Sequence, residues 1–323
     1  MDVLVIGGTG NLSSDYIEAL SGAGHHVALL NRGSKAPPAG AEQLTADRND
    51  AAGVAAALGE RRFDVAIDFL CFSPDQMTSA LALIAPRCGQ WIFISSATVY
   101  RKPHELPVRE DHPLGNDASQ YARDKQACEE LLRTNCPVPW TIVRPSHTFS
   151  RCWIPSPLHG FDYTVTARIL AGKPIIVHDE GHSLWALTAS EDFAQALLGL
   201  TGNARAHGRA VHITTDEVRT WNGIYQELAW LLKATPEIVH IPTSFLCQHD
   251  PAAEGKLAGD KAHHGLFDNQ LIRELVPGWQ CEFNLHRSLK RSLDWFAADP
   301  ARQHINTDAD AAIDAVISAW RSV

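Results

Sequence analysis

Tyr121 and Lys125 are the residues of this sequence whose types and spacing suggest a reaction centre. They lie four positions apart in residues 120–133, whose pattern predicts a helix, so both side chains share one helix face. A tyrosine titrates near about 10, which is too high for a base at neutral pH. A neighbouring ammonium group and a cationic nicotinamide favour the phenolate and lower its pKa. Unless it is an ordinary surface pair, the motif predicts proton exchange with an alcohol, coupled to hydride exchange with a nicotinamide cofactor.

A predicted strand, residues 91–95, precedes this helix and ends in small hydroxyl residues. Ser96 lies 25 positions before Tyr121. A serine at the carboxyl end of a strand can hydrogen-bond the substrate oxygen that the tyrosine also contacts. Ser96 is therefore a candidate partner of Tyr121.

A glycine-rich turn connects the first predicted strand, residues 2–6, to a predicted helix over residues 12–23. The turn reads Gly-Gly-Thr-Gly-Asn-Leu-Ser over residues 7–13, with a serine where a third glycine is usual. Such a turn brings backbone N–H groups and a helix N-terminus close to a pyrophosphate. Because it directly follows the first strand, we interpret it as a dinucleotide site rather than an ordinary turn. The expected cofactor contacts in this turn are Gly7, Thr9, Gly10, Asn11 and Leu12.

The end of the second predicted strand bears on the choice of cofactor. Enzymes that prefer NAD usually carry an acidic residue here, and this chain has Asn31 followed by Arg32. Arg32 could pair with the 2′-phosphate of NADP, so we expect NADP, with NAD as the alternative. Asp47 could contact the adenine or begin the next helix as its N-cap. Leu70, at the end of the predicted strand 63–70, is a further expected cofactor contact.

The elements around these residues alternate between short apolar strands and helices, which predicts an α/β fold with a Rossmann-type, doubly wound parallel sheet. Residues 1–150 are predicted to form the cofactor-binding domain. Residues 151–323 are predicted to form mainly a smaller substrate-binding lobe, interleaved with the core. Residues 247–265 are polar and are expected to cover a cleft or to lie on the surface.

Composition excludes several other classes of function. The chain has 323 residues and a formal net charge of -9, which disfavours nucleic acid as a partner. Without an apolar run of about 18 residues or a recognisable leader, we expect no membrane segment and a cytoplasmic location. The seven scattered cysteines are expected to be reduced thiols, and the histidines show no spacing typical of a metal site.

Taken together, these motifs resemble the extended short-chain dehydrogenases/reductases, the NAD-dependent epimerase/dehydratase group. The resemblance includes the glycine turn, the Ser-Ser-Ala-Thr-Val-Tyr sequence of residues 95–100, the Tyr121–Lys125 pair and the Val-Arg-Pro of residues 143–145. It implies that Ser96, Tyr121 and Lys125 form the catalytic trio. It also implies that Thr98 contacts the substrate, that Pro145 borders the nicotinamide and that the protein is a homodimer.

Within that group, the sequence narrows the chemistry. Sugar-nucleotide dehydratases carry an Asp-Glu pair where this chain has Ala97-Thr98, so 4,6-dehydration is not expected. Net reduction or oxidation with NADP, and epimerisation with tightly bound NAD, remain open, with the reductase favoured because of Arg32. His147 replaces a family asparagine and is either a substrate contact, an extra acid/base group or a polar wall residue.

The substrate is expected to be a small molecule, a sugar, polyol or nucleotide sugar, but the sequence does not identify it. Arg151 and Arg168 are the candidates for a diphosphate contact. Residues 31–33 and 267–269 look closest to a branch that includes chloroplast stem-loop-binding proteins, so a non-catalytic cofactor-sensing or RNA-binding protein is the alternative of another class. The intact trio favours an enzyme.

Overall fold

The computed structural model describes residues 1–158 and 162–323. In chain order, the strands are β1 (Asp2–Ile6), β2 (His26–Asn31), β3 (Ala41–Thr45), β4 (Phe63–Asp68), β5 (Cys88–Ile94), β6 (Trp140–Pro145), β7 (His147–Phe149), β8 (Ile175–His178), β9 (Leu184–Ala189), β10 (Arg209–Ile213), β11 (Val218–Thr220) and β12 (Ile238–Ile241). The helices are α1 (Ser14–Gly22), α2 (Ala51–Leu58), α3 (Pro74–Leu83), α4 (Gln120–Asn135), α5 (Thr164–Leu170), α6 (Ser190–Leu200), α7 (Trp221–Leu231), α8 (Thr243–His249), α9 (Gln270–Leu275), α10 (Leu285–Ala297) and α11 (Thr307–Arg321). Among the described residues, no helix is long and apolar enough to cross a membrane.

The core is a seven-stranded sheet in the order β10-β6-β5-β4-β1-β2-β3, and every neighbouring pair is parallel. Successive residues of a strand point to opposite faces, so a strand covered on both sides must be apolar throughout. In β1, Val3 and Val5 pack against α1, α6 and α9, whereas Leu4 and Ile6 pack toward α2, α3 and α4. This arrangement confirms the predicted α/β fold with a doubly wound parallel sheet.

The second half of the chain contributes to this core and also forms a lobe of its own. β10 is the edge strand beside β6, and α6 packs beside α1. The lobe has a separate apolar core in which β8 and β9 pack with α5, α7 and α10. The predicted division at residue 150 and the role assigned to the second lobe both stay predictions.

Most predicted elements of the first half are present, with shifted ends. The strand predicted over residues 63–70 ends at Asp68, because the Asp68 carboxylate accepts hydrogen bonds from the Leu70 N–H at 2.9 Å and from Arg48 at 2.8 Å. The predicted helix 12–23 begins as α1 at Ser14. The missed elements are β7, at the end of the first half, and β9, β11, β12 and α8 in the second half. These segments are short, and the parallel pairing of β12 with β8 joins residues about 60 positions apart.

Candidate active site

A cavity of about 920 Å³ opens at the carboxyl ends of the central strands. In a doubly wound sheet, this edge is where ligands bind. The wall of the cavity contains fifteen of the residues predicted for catalysis, cofactor and substrate: Gly7, Thr9, Gly10, Asn11, Leu12, Asn31, Arg32, Asp47, Leu70, Ser96, Thr98, Tyr121, Lys125, Pro145 and His147. The structure therefore brings these fifteen residues into one site, while their individual roles stay predictions.

The turn after β1 has the shape that a pyrophosphate cradle requires. Gly7 and Gly8 have φ angles of 111° and 97°, which disfavour any residue with a Cβ. A Cβ on Gly8 would also lie 2.8 Å from both Ile17 of α1 and Leu29 of β2. The turn can therefore approach a ligand closely, and the helix N-terminus that follows favours negative charge. These residues fit the phosphates of a dinucleotide.

The side chains of this turn hold its shape. Ser13, which replaces the usual third glycine, accepts a hydrogen bond from the Gly10 N–H at 3.0 Å. Asn11 donates to the Thr148 carbonyl at 2.9 Å and accepts from the Ser150 N–H at 2.8 Å. The side chain of Asn11 is thus committed to the segment around β7, and the part of the turn left to face a ligand is mainly backbone.

At the end of β2, Asn31 and Arg32 differ in what they contact. The side-chain amide oxygen of Asn31 accepts hydrogen bonds from the Gly33 N–H at 2.7 Å and from the Gln43 side chain at 2.6 Å, so Asn31 stabilises the turn. Arg32, Ser34 and Lys35 line the cavity mouth and are exposed. Ser34 and Lys35 were not predicted, because their relation to the cavity depends on the path of the loop after β2.

Asp47 and Arg48 follow β3 and also line the cavity. Asp47 accepts a hydrogen bond from the Asn49 N–H at 2.9 Å, and the N-cap of α2 is Asp50. The alternative that Asp47 caps the helix is therefore wrong. Arg48 was not singled out by the sequence, and it forms an ion pair with buried Asp68 at 2.8 Å.

Lys125 lies buried in the floor of the cavity. Its ammonium group donates hydrogen bonds to the carbonyl oxygens of Cys71 at 2.7 Å and Ile94 at 2.8 Å. An ammonium has three donors, so one remains for the cavity. Burial lowers the pKa of Lys125 to about 8, although its neighbours Cys71 and Asp68 oppose that shift.

The lowered pKa of Lys125 predicts a pH dependence of cofactor binding. The ammonium form dominates below about pH 8 and is lost as the pH rises through that value. Because the cofactor carries phosphates, we expect its dissociation constant to increase by roughly threefold to tenfold between pH 7 and pH 9. NADPH fluorescence titrations across this range would measure the change. In Lys125→Met, the affinity for NADPH is expected to be lower, and the increase of the dissociation constant between pH 7 and pH 9 is expected to be absent. A step of equal size in both proteins would contradict the assignment.

Tyr121 presents its phenol to the cavity, and 42% of the residue is exposed there. The protein atoms around the phenol partly shield it from water, and this burial raises the pKa of Tyr121 to about 12. A hydrogen bond with Ser96 only partly offsets that increase. The lowered pKa expected from the sequence depends on a bound cationic nicotinamide as well as on Lys125, so it stays a prediction for the cofactor complex. In the protein chain alone, the Lys125 ammonium group lies 5.7 Å from the centre of the Tyr121 ring and donates to two carbonyl groups.

Ser96 and Thr98 lie on the same wall, at the end of β5. Ser96 donates a hydrogen bond to the Thr98 hydroxyl at 3.0 Å and accepts one from the Thr98 N–H at 3.2 Å. These bonds fix the Ser96 hydroxyl at the start of a short 3₁₀ turn. Ser96 and Tyr121 can therefore contact one substrate oxygen together, with the tyrosine in its neutral, proton-donating form.

A buried ion pair holds the helix of Tyr121 and Lys125 against the sheet. Glu129 lies on the same face of α4 and receives two hydrogen bonds from Arg144 of β6, at 2.9 and 2.6 Å. The Ser95 hydroxyl donates to the same carboxylate at 2.6 Å. Arg144 in turn donates to Tyr100 at 2.7 Å. The network fixes α4 relative to the strand ends that carry Ser96 and Pro145.

His147 forms part of the far wall. Its Nδ1 accepts a hydrogen bond from the indole N–H of Trp185 at 3.1 Å. Burial lowers the pKa of His147 to about 3, so the imidazole is neutral at physiological pH. This disfavours a role as a charged acid and agrees with a polar wall residue or a substrate contact.

The two arginines predicted for a diphosphate contact are not in the cavity wall. Arg168 is buried and forms ion pairs with Asp310 and Asp314 of α11. Arg151 forms ion pairs with Asp15 at 3.5 Å and Glu18 at 3.6 Å. Instead, the second half contributes to the wall residues that the sequence did not assign to the site: Trp185, Lys256, Asp260, Lys261 and Phe267. Three of these belong to the polar segment 247–265, which covers the cavity.

Comparison with known proteins places this geometry in a family. Residues 3–214 match the model of the NAD dependent epimerase/dehydratase family. The 2'-dehydrokanamycin reductase of Streptomyces kanamyceticus is 27% identical, over 86% of this chain and 80% of the relative. The chloroplast stem-loop binding protein of 41 kDa b of Arabidopsis thaliana is 28% identical, over 98% of this chain and 83% of the relative.

Solved structures share the fold. The UDP-glucose 4-epimerase of Thermotoga maritima superposes with a TM-score of 0.74 at 17% identity, covering 92% of this chain and 99% of that chain. The WbmG enzyme of Bordetella bronchiseptica, solved in complex with NAD, superposes with a TM-score of 0.75 at 17% identity, covering 94% and 96%. With a glycine turn, a Tyr–Lys pair and a parallel sheet in this relation, and with two thirds of its length matched by the family model, the chain belongs to the NAD dependent epimerase/dehydratase family.

Proposed function

We propose that the protein is an NADP-linked reductase that converts a keto group of a sugar-like or polyol substrate into an alcohol, with Tyr121 as the acid/base. The observation that carries this proposal is a single cavity with Arg32, Ser34 and Lys35 at one end and Ser96, Tyr121 and Lys125 further along it. Arg32 and Lys35 suit the 2′-phosphate of NADP, since guanidinium and ammonium groups bind phosphate by charge-assisted hydrogen bonds.

In this mechanism each residue has a separate task. A bound nicotinamide cofactor supplies or accepts the hydride. Ser96 orients the substrate oxygen, and the neutral phenol of Tyr121 donates its proton as negative charge develops on that oxygen. Lys125, held by two carbonyl groups, places positive charge beside the phenol and favours the phenolate that remains. Gly7, Thr9, Gly10, Asn11, Leu12, Asp47, Leu70 and Pro145 would hold the cofactor, and Thr98 and His147 would contact the substrate.

The alternative is an epimerase that keeps NAD bound throughout its cycle. It is supported by the names of relatives such as the UDP-glucose 4-epimerase of Drosophila melanogaster, which is 28% identical over 44% of this chain. The absence of an Asp-Glu pair at Ala97-Thr98 supports the view that neither reaction is a 4,6-dehydration. A non-catalytic cofactor-sensing or RNA-binding role is less well supported, because it would leave the Tyr121–Lys125 arrangement without a task. A homodimer and a cytoplasmic location stay predictions.

Identification of the cofactor tests the proposal. The purified protein is denatured, any released nucleotide is identified, and the emptied protein is titrated with NADPH and NADH. We expect tighter binding of NADPH, followed by NADPH oxidation with at least one member of a panel of keto sugars. Tightly held NAD would instead favour the epimerase, and no binding of either nucleotide would favour the non-catalytic role.

Arg32 and Lys35 give a sharper prediction about the cofactor. In the variant Arg32→Ala/Lys35→Ala we expect the affinity for NADPH to fall by about tenfold to a hundredfold, because charge-assisted bonds to the 2′-phosphate are lost. The affinity for NADH, which lacks that phosphate, is expected to change less than about twofold. Fluorescence titration of both cofactors provides the internal control. An equal loss for both nucleotides would contradict a specific 2′-phosphate contact.

A further inference from the structure

Residues 254–261 form a cover over the substrate half of the cavity, which we call the roof. The roof packs closely against the start of α4, the helix that carries Tyr121. Its two glycines are so near to Ser119, the N-cap of α4, that a Cβ added to Gly255 or Gly259 would lie 3.3 or 3.2 Å from the Ser119 side chain. The Gly259 carbonyl accepts a hydrogen bond from Asn116 at 2.6 Å. The roof therefore keeps a defined position relative to Tyr121, two residues after Ser119.

A second set of bonds fixes the other end of the roof. The Lys261 carbonyl accepts hydrogen bonds from the hydroxyl of Ser183 at 2.8 Å and contacts Nε2 of His178 at 2.9 Å. The roof ends in a π-helical turn, Leu257–Lys261, a conformation that is frequent at functional sites. Its backbone is thus constrained at both ends, and Lys256, Asp260 and Lys261 line the cavity.

The charge of this region is opposite to that of the whole chain. Among the residues that the structure describes, the cavity wall carries six basic side chains, Arg32, Lys35, Arg48, Lys125, Lys256 and Lys261, and two acidic ones, Asp47 and Asp260. The full chain has a net charge of -9. In the roof, Asp260 lies 3.5 Å from Lys261. Lys256, Asp260 and Lys261 line the cavity and Glu254 does not, so the roof contributes a surplus of one positive charge to the cavity wall.

The position of Lys261 relates this charge to the substrate. Its ammonium group lies 5.6 Å from the centre of the Trp185 ring, and Trp185 donates to His147. On the other side, Asp260 is close enough to Tyr121 to raise the pKa of the phenol, after the larger effect of burial. Lys261 is thus related through Trp185 to His147 and through Asp260 to Tyr121, and the two roof lysines line the same cavity as both residues.

We propose that Lys256 and Lys261 bind an anionic group, a carboxylate or a phosphate monoester, attached directly to the sugar-like substrate, and that they make the enzyme selective for compact anionic sugars. The proposal rests on the function proposed above. Because Arg151 and Arg168 are committed to carboxylates elsewhere, they do not supply the contacts that a larger nucleotide diphosphate would need. A cationic amino sugar is disfavoured by repulsion from the roof.

The test measures binding, so it does not depend on turnover. Glucose 6-phosphate, glucuronate, glucose, glucosamine and UDP-glucose are titrated by calorimetry into the protein saturated with whichever of NADP⁺ or NAD⁺ it binds, and into protein without cofactor. We expect glucose 6-phosphate and glucuronate to bind at least about tenfold more tightly than glucose. Glucose 6-phosphate and glucuronate together distinguish a phosphate site from a carboxylate site.

Variants identify the residues responsible. In Lys256→Met/Lys261→Met the preference for the anionic sugars over glucose is expected to disappear, whereas Lys290→Met, which changes an exposed lysine of α10, keeps it. In Asp260→Asn the anionic sugars are expected to bind at least about threefold more tightly, because a competing carboxylate is removed. An increase in affinity cannot result from a folding defect.

Several results would overturn the proposal: equal binding of glucose and the anionic sugars, no binding of either anionic sugar, tightest binding of glucosamine or UDP-glucose, or a preference that the double variant retains. Failure of the proposed function has a different signature. It would appear as absence of NADPH-dependent turnover in a protein that still shows the lysine-dependent preference.

Discussion

Replacement of Tyr121 by phenylalanine is expected to lower kcat for keto-sugar reduction by about 10²- to 10⁴-fold, the usual contribution of a positioned acid/base group. The substitution removes one hydroxyl group and leaves the ring against α4. The dissociation constant for NADPH is expected to change less than about twofold, since the proposed mechanism has the hydroxyl bond the substrate oxygen rather than the cofactor phosphates.

The measurement is NADPH oxidation with the most active keto sugar of the panel, together with fluorescence titration of NADPH. Tyr163→Phe is the matched control, because Tyr163 packs against Phe296 of the second lobe, with ring centres 5.2 Å apart, and does not line the cavity. The assignment of Tyr121 as proton donor would be wrong if Tyr121→Phe retained most of its kcat. A loss confined to cofactor affinity would assign the residue a binding role instead.

The second large effect is a loss of stability when the buried ion pair between Glu129 and Arg144 is broken. Glu129→Gln leaves the Arg144 guanidinium buried beside an uncharged partner, at positions with almost no solvent exposure. Breaking a buried pair by removing one charge costs about 3–5 kcal/mol of unfolding free energy, because the remaining charge is uncompensated. We therefore expect Glu129→Gln to unfold at markedly lower urea concentration than the wild-type protein.

Urea unfolding followed by circular dichroism measures this difference. Glu130→Gln is the control, since Glu130 is the exposed neighbour and is expected to change stability by less than about 0.5 kcal/mol. The double variant Glu129→Leu/Arg144→Met removes both charges and is expected to recover part of the loss. Equal stability of Glu129→Gln and the wild-type protein would show that the pair is not required to keep α4 in place.

The catalytic half of the site was predictable because its signals are local. The turn over residues 7–13 directly joins a strand to a helix, and Tyr121 and Lys125 share a helix face through a spacing of four. The geometry of each motif therefore follows from its local sequence spacing. Strand ends such as Ser96 and Pro145 gather at one edge because parallel strands share a direction.

The substrate half was not predictable in the same way. Lys256 and Lys261 lie more than 130 positions after Tyr121 in a segment without periodicity, and their place in the wall depends on tertiary contacts with Ser119 and Ser183. The effect of burial on the Tyr121 pKa in the chain without cofactor was also not predictable from the sequence. The spacing shows that a lysine is near, but it does not show that two backbone carbonyls hold its ammonium group and that burial dominates.

The roof lies outside the part of the chain that defines the family. The family model ends at residue 214, whereas the roof begins at residue 254, yet both face the same cavity. Under the functions proposed above, the residues assigned to hydride transfer and the two roof lysines assigned to substrate selection lie in separate stretches of the chain. Exchange of the later stretch alone is then expected to change which compound is accepted while the residues assigned to hydride transfer stay in place. A library restricted to residues 254–261 is accordingly an economical starting point for redirecting this enzyme to new substrates.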